Sequence, residues 1–204
     1  MADFPVVLRK LALINIDLQN VFVEGSPIAA PDGLAVVDRV NQLSAACRKA
    51  GALVIHTAHV TRPDGSNLGV MREIIPPLRE GLINRGSAAA ALHPRLEVSP
   101  GDIVLEKPRF GAFHGTDLEL ILRARGIDTL ILTGLTTIVC VDTTAREAAV
   151  RDFRVFVTSD GTATPDIAGV SRQDLQRVSC AVLATAFAQV VTVEQMIAKL
   201  RAAA

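Results

Sequence analysis

Six short apolar runs punctuate this chain, and the stretches between them carry apolar residues at helical spacing. The runs at 11–17, 53–57, 103–105, 129–132, 154–157 and 190–193 are mostly continuous rather than alternating. That is the pattern of strands buried on both faces of a parallel sheet. Amphipathic helices are expected at about 33–50, at 117–125, from Gly134 through about 151, at 171–188 and in a last segment ending at 201. Gly51 and Gly126 serve as helix stops. Residues 19–31 read as irregular, and 62–100, broken by glycine and proline, as short helices and loops of the kind that cover a site. Strand and helix alternate without a linker, a low-complexity tract or a repeat. The expected fold is therefore α/β: a three-layer α/β/α sandwich on a mainly parallel six-stranded sheet, Rossmann-like, with right-handed crossovers.

Composition narrows the partners. With 204 residues, half of them hydrophobic, the chain can bury one sizeable core and is expected to form one domain over 1–204. A formal net charge of zero and the lack of a basic run argue against nucleic acid or an anionic membrane as partner, leaving a small molecule. Residues 1–10 lack a secretory pattern and no apolar stretch is long enough to span a bilayer, so the expected compartment is the cytoplasm. Cys47, Cys140 and Cys180 show no metal-ligand spacing and leave one thiol over from any disulfide scheme. They read as free thiols.

The chemistry gathers at strand ends. Asp17 closes the first run, Lys107 follows the third and Cys140 lies beyond the fourth. In an open parallel sheet the carboxyl ends face one crevice, where an acid, an amine and a thiol distant in sequence can meet. An ionised carboxylate ending an apolar strand needs a partner, which could also be turn N–H groups. Lys107 is one of four lysines against seventeen arginines, a compact charge at a strand end, with a solvated lysine as the plainer alternative. Cys140 sits in Thr-Gly-Leu-Thr-Thr-Ile-Val-Cys-Val-Asp-Thr-Thr at 133–144, which reads as strand, glycine turn and helix start. A helix amino terminus and a nearby cation would bring its thiol from about 8.5 to about 7 or below. A buried, inert cysteine is the competing reading.

Around these residues, Phe22 and Phe113 could wall a pocket, and Arg62 and Arg109 could grip a carboxylate or carbonyl. Gln19 and Asn20 could position backbone or substrate. His59 could contact substrate or act as a lone ligand, although a hydrogen-bonded strand-end histidine is the plainer reading. His56 reads as core, His93 as a turn residue and His114 as the start of a helix. No zinc-type cluster is evident, so neither a metal nor another cofactor is expected. No G-x-G-x-x-G or P-loop follows a strand, which argues against a nucleotide-binding module.

Three segments carry a resemblance. Leu-Ile-Asn-Ile-Asp-Leu-Gln-Asn at 13–20, Glu-Lys-Pro-Arg-Phe at 106–110 and Thr-Gly-Leu-Thr-Thr-Ile-Val-Cys at 133–140 are similar to motifs of the isochorismatase-like cysteine hydrolase superfamily. Leu-His-Pro-Arg at 92–95, Gly101-Asp102 and the helix at 117–126 also match. The resemblance covers most of the chain. It implies a homodimer or homotetramer and a catalytic triad of Asp17, Lys107 and Cys140. It further implies an oxyanion hole from the backbone N–H groups of Thr136 and Cys140, and a cis peptide between Leu135 and Thr136. The implied activity is cysteine-dependent hydrolysis of a C–N bond in a small amide, ureide or carbamoyl compound through a thioester. His-Thr-Ala-His at 56–59 lacks the aspartate that nicotinamidases use to bind metal. Isochorismatases proper, which cleave a vinyl ether, generally do without the cysteine. Both activities stand as alternatives, beside a catalytically silent member of the fold.

Overall fold

All six apolar runs become strands: β1 (Leu11–Ile16), β2 (Leu53–His59), β3 (Ile103–Lys107), β4 (Thr129–Leu135), β5 (Arg154–Ala163) and β6 (Gln189–Val191). In the computed structural model, which describes residues 3–204, they form one sheet in the order β3-β2-β1-β4-β5-β6. Met1 and Ala2, where the segment read for a leader begins, lie outside the described residues. Every pairing is parallel, so the sheet is wholly rather than mainly so. The chain lays β1 in the middle, steps outward to β3, then returns to the other side of β1 for β4. That reversal opens a crevice beyond the carboxyl ends of β1 and β4.

Helices cover both faces. Between β1 and β2 come α1 (Asn20–Val23) and α2 (Gly33–Lys49), and between β2 and β3 the single turns α3 (Met71–Ile74) and α4 (Pro76–Arg79). Then follow α5 (Leu118–Ala124), α6 (Asp142–Ala149), α7 (Arg172–Ala186) and α8 (Val193–Ala202). One core layer joins Ile14, Ile16, Leu130 and Val155 to Leu118 and Leu122 of α5, Ala145 and Ala148 of α6 and Leu183 of α7. The other joins Leu13, Val54, Ile131 and Phe156 to Leu43 and Cys47 of α2 and Met196 and Leu200 of α8. This is the expected three-layer sandwich. Among the described residues no helix is long and apolar enough to cross a membrane.

Register brings the strand ends level. Ile16 pairs with Gly134, and His59 pairs with Lys107. Gly134 is not a turn, as the spacing suggested, but part of β4, with φ at +105°. A Cβ there would lie 2.0 Å from the carbonyl oxygen of Ile16, so glycine alone lets β4 pass this close to β1. Beneath the strand ends Asn15 donates to Ser44 Oγ (3.0 Å) and to His56 Nδ1 (3.2 Å), and Thr133 donates to Asn15 Oδ1 (2.8 Å). The remaining nitrogen of His56 donates to Asp102 (3.0 Å), which also takes a bidentate pair from Arg48. His56 is thus a satisfied core histidine.

Candidate active site

Asp17 leaves β1 in the left-handed region, with φ at +50°. Its N–H donates to the carbonyl of Thr57 (3.1 Å) and to the Thr57 hydroxyl oxygen (3.2 Å), and that hydroxyl donates to Asp17 Oδ1 (2.7 Å). Thr57 therefore holds both the strained backbone and the carboxylate. Such strain persists only where surrounding contacts over-determine it. Lys107 ends β3 and lies 2.7 Å from Asp17 Oδ2, both side chains being fully out of water. Beyond this ion pair Oδ2 has no hydrogen-bond partner among the described residues. The same ammonium donates to the carbonyls of Arg109 and Phe110, each at 2.8 Å. Burial works against its charge, but Asp17 and Cys140 outweigh burial and hold its pKa above the ordinary lysine value.

Cys140 reaches this pair from across the crevice. After β4 the Leu135–Thr136 peptide is cis, as the resemblance implied, and Thr137–Val141 make one wide turn of π-helical geometry before α6. Cys140 lies on that turn, buried, its sulfur within 4.8 Å of an Asp17 carboxylate oxygen and within reach of the Lys107 charge. Its carbonyl accepts from the Thr144 hydroxyl (2.7 Å), which in turn accepts from Ala112 N–H (3.1 Å). Glu147 accepts from Phe113 N–H (3.1 Å). Residues 108–113, whose carbonyls hold Lys107, are thereby tied to the turn that carries the thiol. Thr57, Thr144 and Glu147 were not singled out from sequence, since isolated hydroxyls and acids within helices and strands give no signal there.

One electrostatic expectation is reversed. Burial pushes the Cys140 thiol up to about 12, the Lys107 charge opposing and the Asp17 charge adding to it. Burial thus favours the thiol over a preformed thiolate.

The flanking residues separate into two sets. His59 is buried with its ring edge-on to Phe110, the centroids 5.7 Å apart. Burial, then the Lys107 charge, bring its pKa down to about 4, so the ring is neutral. Its Nε2 has no hydrogen-bond partner among the described residues. Arg109, half-buried, donates through Nη1 to the carbonyls of Asn67 (2.6 Å) and Pro108 (2.7 Å). Phe22, half-buried, packs between the apolar clusters around α1 and beneath the 62–90 segment. Phe113 instead points into the core, its ring 5.7 Å from that of Phe153. Gln19 is fully buried and spends its amide on the backbone: it accepts from His59 N–H (2.8 Å) and donates to the carbonyls of His59 (3.0 Å) and Ala90 (2.7 Å). Asn20 binds the carbonyl of Ala88 (2.8 Å), and Arg62 lies exposed on the loop after β2.

Oxygen, nitrogen and sulfur donors from Asp17, His59 and Cys140 lie within 4.8 Å of one another, a set of zinc-ligand chemistry. Lys107 counts against a resident metal. A divalent cation about 4 Å from its ammonium would meet roughly 8 kcal/mol of repulsion at an effective dielectric of about 20. These residues do not fit a metal while Lys107 is charged.

Comparison with known proteins agrees with this architecture. A ureidoacrylate amidohydrolase RutB of Methylorubrum extorquens is 34% identical over 172 residues, covering 74% of this chain and 68% of that protein. An N-carbamoylsarcosine amidase of an Arthrobacter species is 34% identical over 155 residues, covering 73% and 58%. The crystal structure of a cysteine hydrolase from Pseudomonas syringae pv. phaseolicola 1448A superposes with a TM-score of 0.92 at 31% identity, covering 99% of this chain and 97% of that one. The Isochorismatase domain model matches residues 11–195, from the first residue of β1 into α8. With its sheet order, its crevice and its sequence in agreement, the chain belongs to the isochorismatase family.

Proposed function

We propose that this protein hydrolyses a C–N bond in a small amide, ureide or carbamoyl compound, with Cys140 as nucleophile. The observation that carries the reading is the thiol within 4.8 Å of a buried Asp17–Lys107 pair whose Oδ2 has no partner besides the ammonium. Relatives that act as a ureidoacrylate amidohydrolase and an N-carbamoylsarcosine amidase support the bond type.

A thiol with a pKa of about 12 needs its proton removed as it attacks, and Asp17 is the carboxylate within reach of it. The S–H proton passes to the carboxylate, the S–C bond forms, and the carbonyl π electrons move to oxygen. Backbone N–H groups of Thr136 and Cys140 hold that oxyanion, each donor being worth about 3 to 4 kcal/mol of barrier. Collapse re-forms the carbonyl and breaks the C–N bond, and the leaving nitrogen takes the proton from Asp17. Water then adds to the thioester or thiocarbamate, gives one proton to Asp17 and expels the sulfur, which recovers that proton. Lys107 compensates the carboxylate when it is charged and keeps both partners in place. Small-molecule turnover of this kind needs neither nucleic acid nor membrane, and we place it in the cytoplasm, in a homodimer or homotetramer.

The test is ammonia release from a panel of carboxamides, ureides and carbamoyl amino acids, with Cys140→Ala beside the wild type. Release that vanishes in the variant, while substrate still binds it, is expected. Release that persists in Cys140→Ala overturns the mechanism.

A further inference from the structure

We infer that Thr57 is a positioning residue for the reaction: its hydroxyl holds the Asp17 carboxyl group in the orientation that takes the Cys140 proton and hands it on. This rests on the hydrolase reading above, in which Asp17 is the base, and adds a residue to it.

A count of hydrogens makes the case. The Thr57 hydroxyl oxygen accepts from Asp17 N–H (3.2 Å), so its own single hydrogen must go elsewhere, and Asp17 Oδ1 at 2.7 Å takes it. Among the described residues that hydroxyl has no other acceptor. Buried threonines elsewhere give their hydrogen to a backbone carbonyl, as Thr144 does to Cys140 (2.7 Å) and Thr162 to Thr158 (3.1 Å). Thr57 gives it to the carboxylate of the site instead. Its β-branched side chain, fully buried on β2, has little freedom to turn away.

Two strands therefore grip the carboxylate, Thr57 of β2 at Oδ1 and Lys107 of β3 at Oδ2. The two grips respond differently to the proton. Attraction to Lys107 is between charges and fades once Asp17 is protonated and neutral. A hydroxyl hydrogen bond to a carboxyl oxygen survives that change, because it needs no charge on either partner. Thr57 thus keeps the group aimed during the interval in which it carries the thiol proton to the leaving nitrogen. The Asp17 N–H also bonds the Thr57 carbonyl (3.1 Å), so removing the hydroxyl frees the carboxylate without releasing the backbone.

Three variants separate the hydroxyl from the bulk of the side chain. Thr57→Ser keeps the hydroxyl and loses the methyl, Thr57→Val keeps the bulk and loses the hydroxyl, and Thr57→Ala loses both. In ammonia release, Thr57→Val and Thr57→Ala are expected to lose roughly tenfold or more in kcat with KM within about twofold, while Thr57→Ser recovers most of the rate. Rates that follow bulk, with Thr57→Val near wild type and Thr57→Ser slow, overturn the inference, as does a loss carried by KM. Alkylation of Cys140 by iodoacetamide, followed by mass spectrometry, reads the same proton transfer without hydrolysis: the S–C bond forms, the C–I bond breaks, iodide leaves and the thiol proton goes to Asp17. The same order by hydroxyl is expected at Cys140, with Cys47 and Cys180 unmoved, and an order by bulk overturns the inference. Hydroxyl-dependent alkylation with no amide cleaved would sink the hydrolase reading alone. Cys140-dependent cleavage indifferent to the hydroxyl would sink the role of Thr57 alone.

Discussion

A carboxylate and an ammonium sealed together at 2.7 Å carry a large desolvation cost, which their attraction offsets only while both are present. Lys107→Met removes the cation and leaves Asp17 charged, buried and without a counter-ion. Destabilisation of about 3 to 5 kcal/mol is expected in urea unfolding. Adding Asp17→Asn to that variant should return part of the loss, and a Lys107→Met protein within about 1 kcal/mol of wild type would refute the account. That acid, amine and thiol should meet was legible from sequence, because strand ends in a parallel sheet share an edge. Which way a neighbouring side chain points was not. Phe113 and Gln19 lie as close in sequence to the strand ends as Phe22 and His59, yet one packs against Phe153 and the other binds backbone. Nor does a motif disclose depth of burial, and depth is what turns the expected low thiol pKa into one of about 12.

Among the elements, β4 matters most for the site because it delivers the turn bearing Cys140. Its tip is held against β1 through Gly134, where any side chain would strike the Ile16 carbonyl. Gly134→Ala must force the strands apart and adopt φ near +105°, so a loss of about 3 kcal/mol or more is expected, with activity falling further than stability explains. Chemical denaturation and ammonia release in the same preparation would check this. A variant of wild-type stability would show that the strands part freely. Strand existence was legible throughout, since buried runs between helical periods have few other readings. Strand length was not. β5 continues through Ser159-Asp160-Gly161, which looks like a turn, because parallel pairing resumes between Gly134 and Thr162 after an irregularity. Likewise β2 extends past Thr57 to His59, carrying the imidazole to the level of Lys107.

For the molecule as a whole, the buried titratable groups make acid stability a report on the site. His59 has a folded-state pKa of about 4 against 6.5 for the free side chain, and burial also lowers that of His56. Between those values the unfolded chain binds protons that the folded chain refuses, so stability must fall as pH drops from 6.5 toward 4. His59 alone contributes about 3 kcal/mol to that fall. Asp102 has the opposite character. Burial works against its charge, but Arg48, Ser99 N–H and His56 bring its pKa down to about 2 from 3.8, so its contribution is intact above 3.8 and lost only as pH falls through 2. Urea unfolding across this range should therefore show a loss beginning near pH 6.5 and a further one below pH 4. In His59→Gln the first loss should shrink, with the His56 part remaining, while the second is unmoved. A wild-type stability that stays flat from pH 6.5 to 4 would mean that the ring takes its proton inside the folded site. The neutral imidazole beside Cys140 would then have to be abandoned.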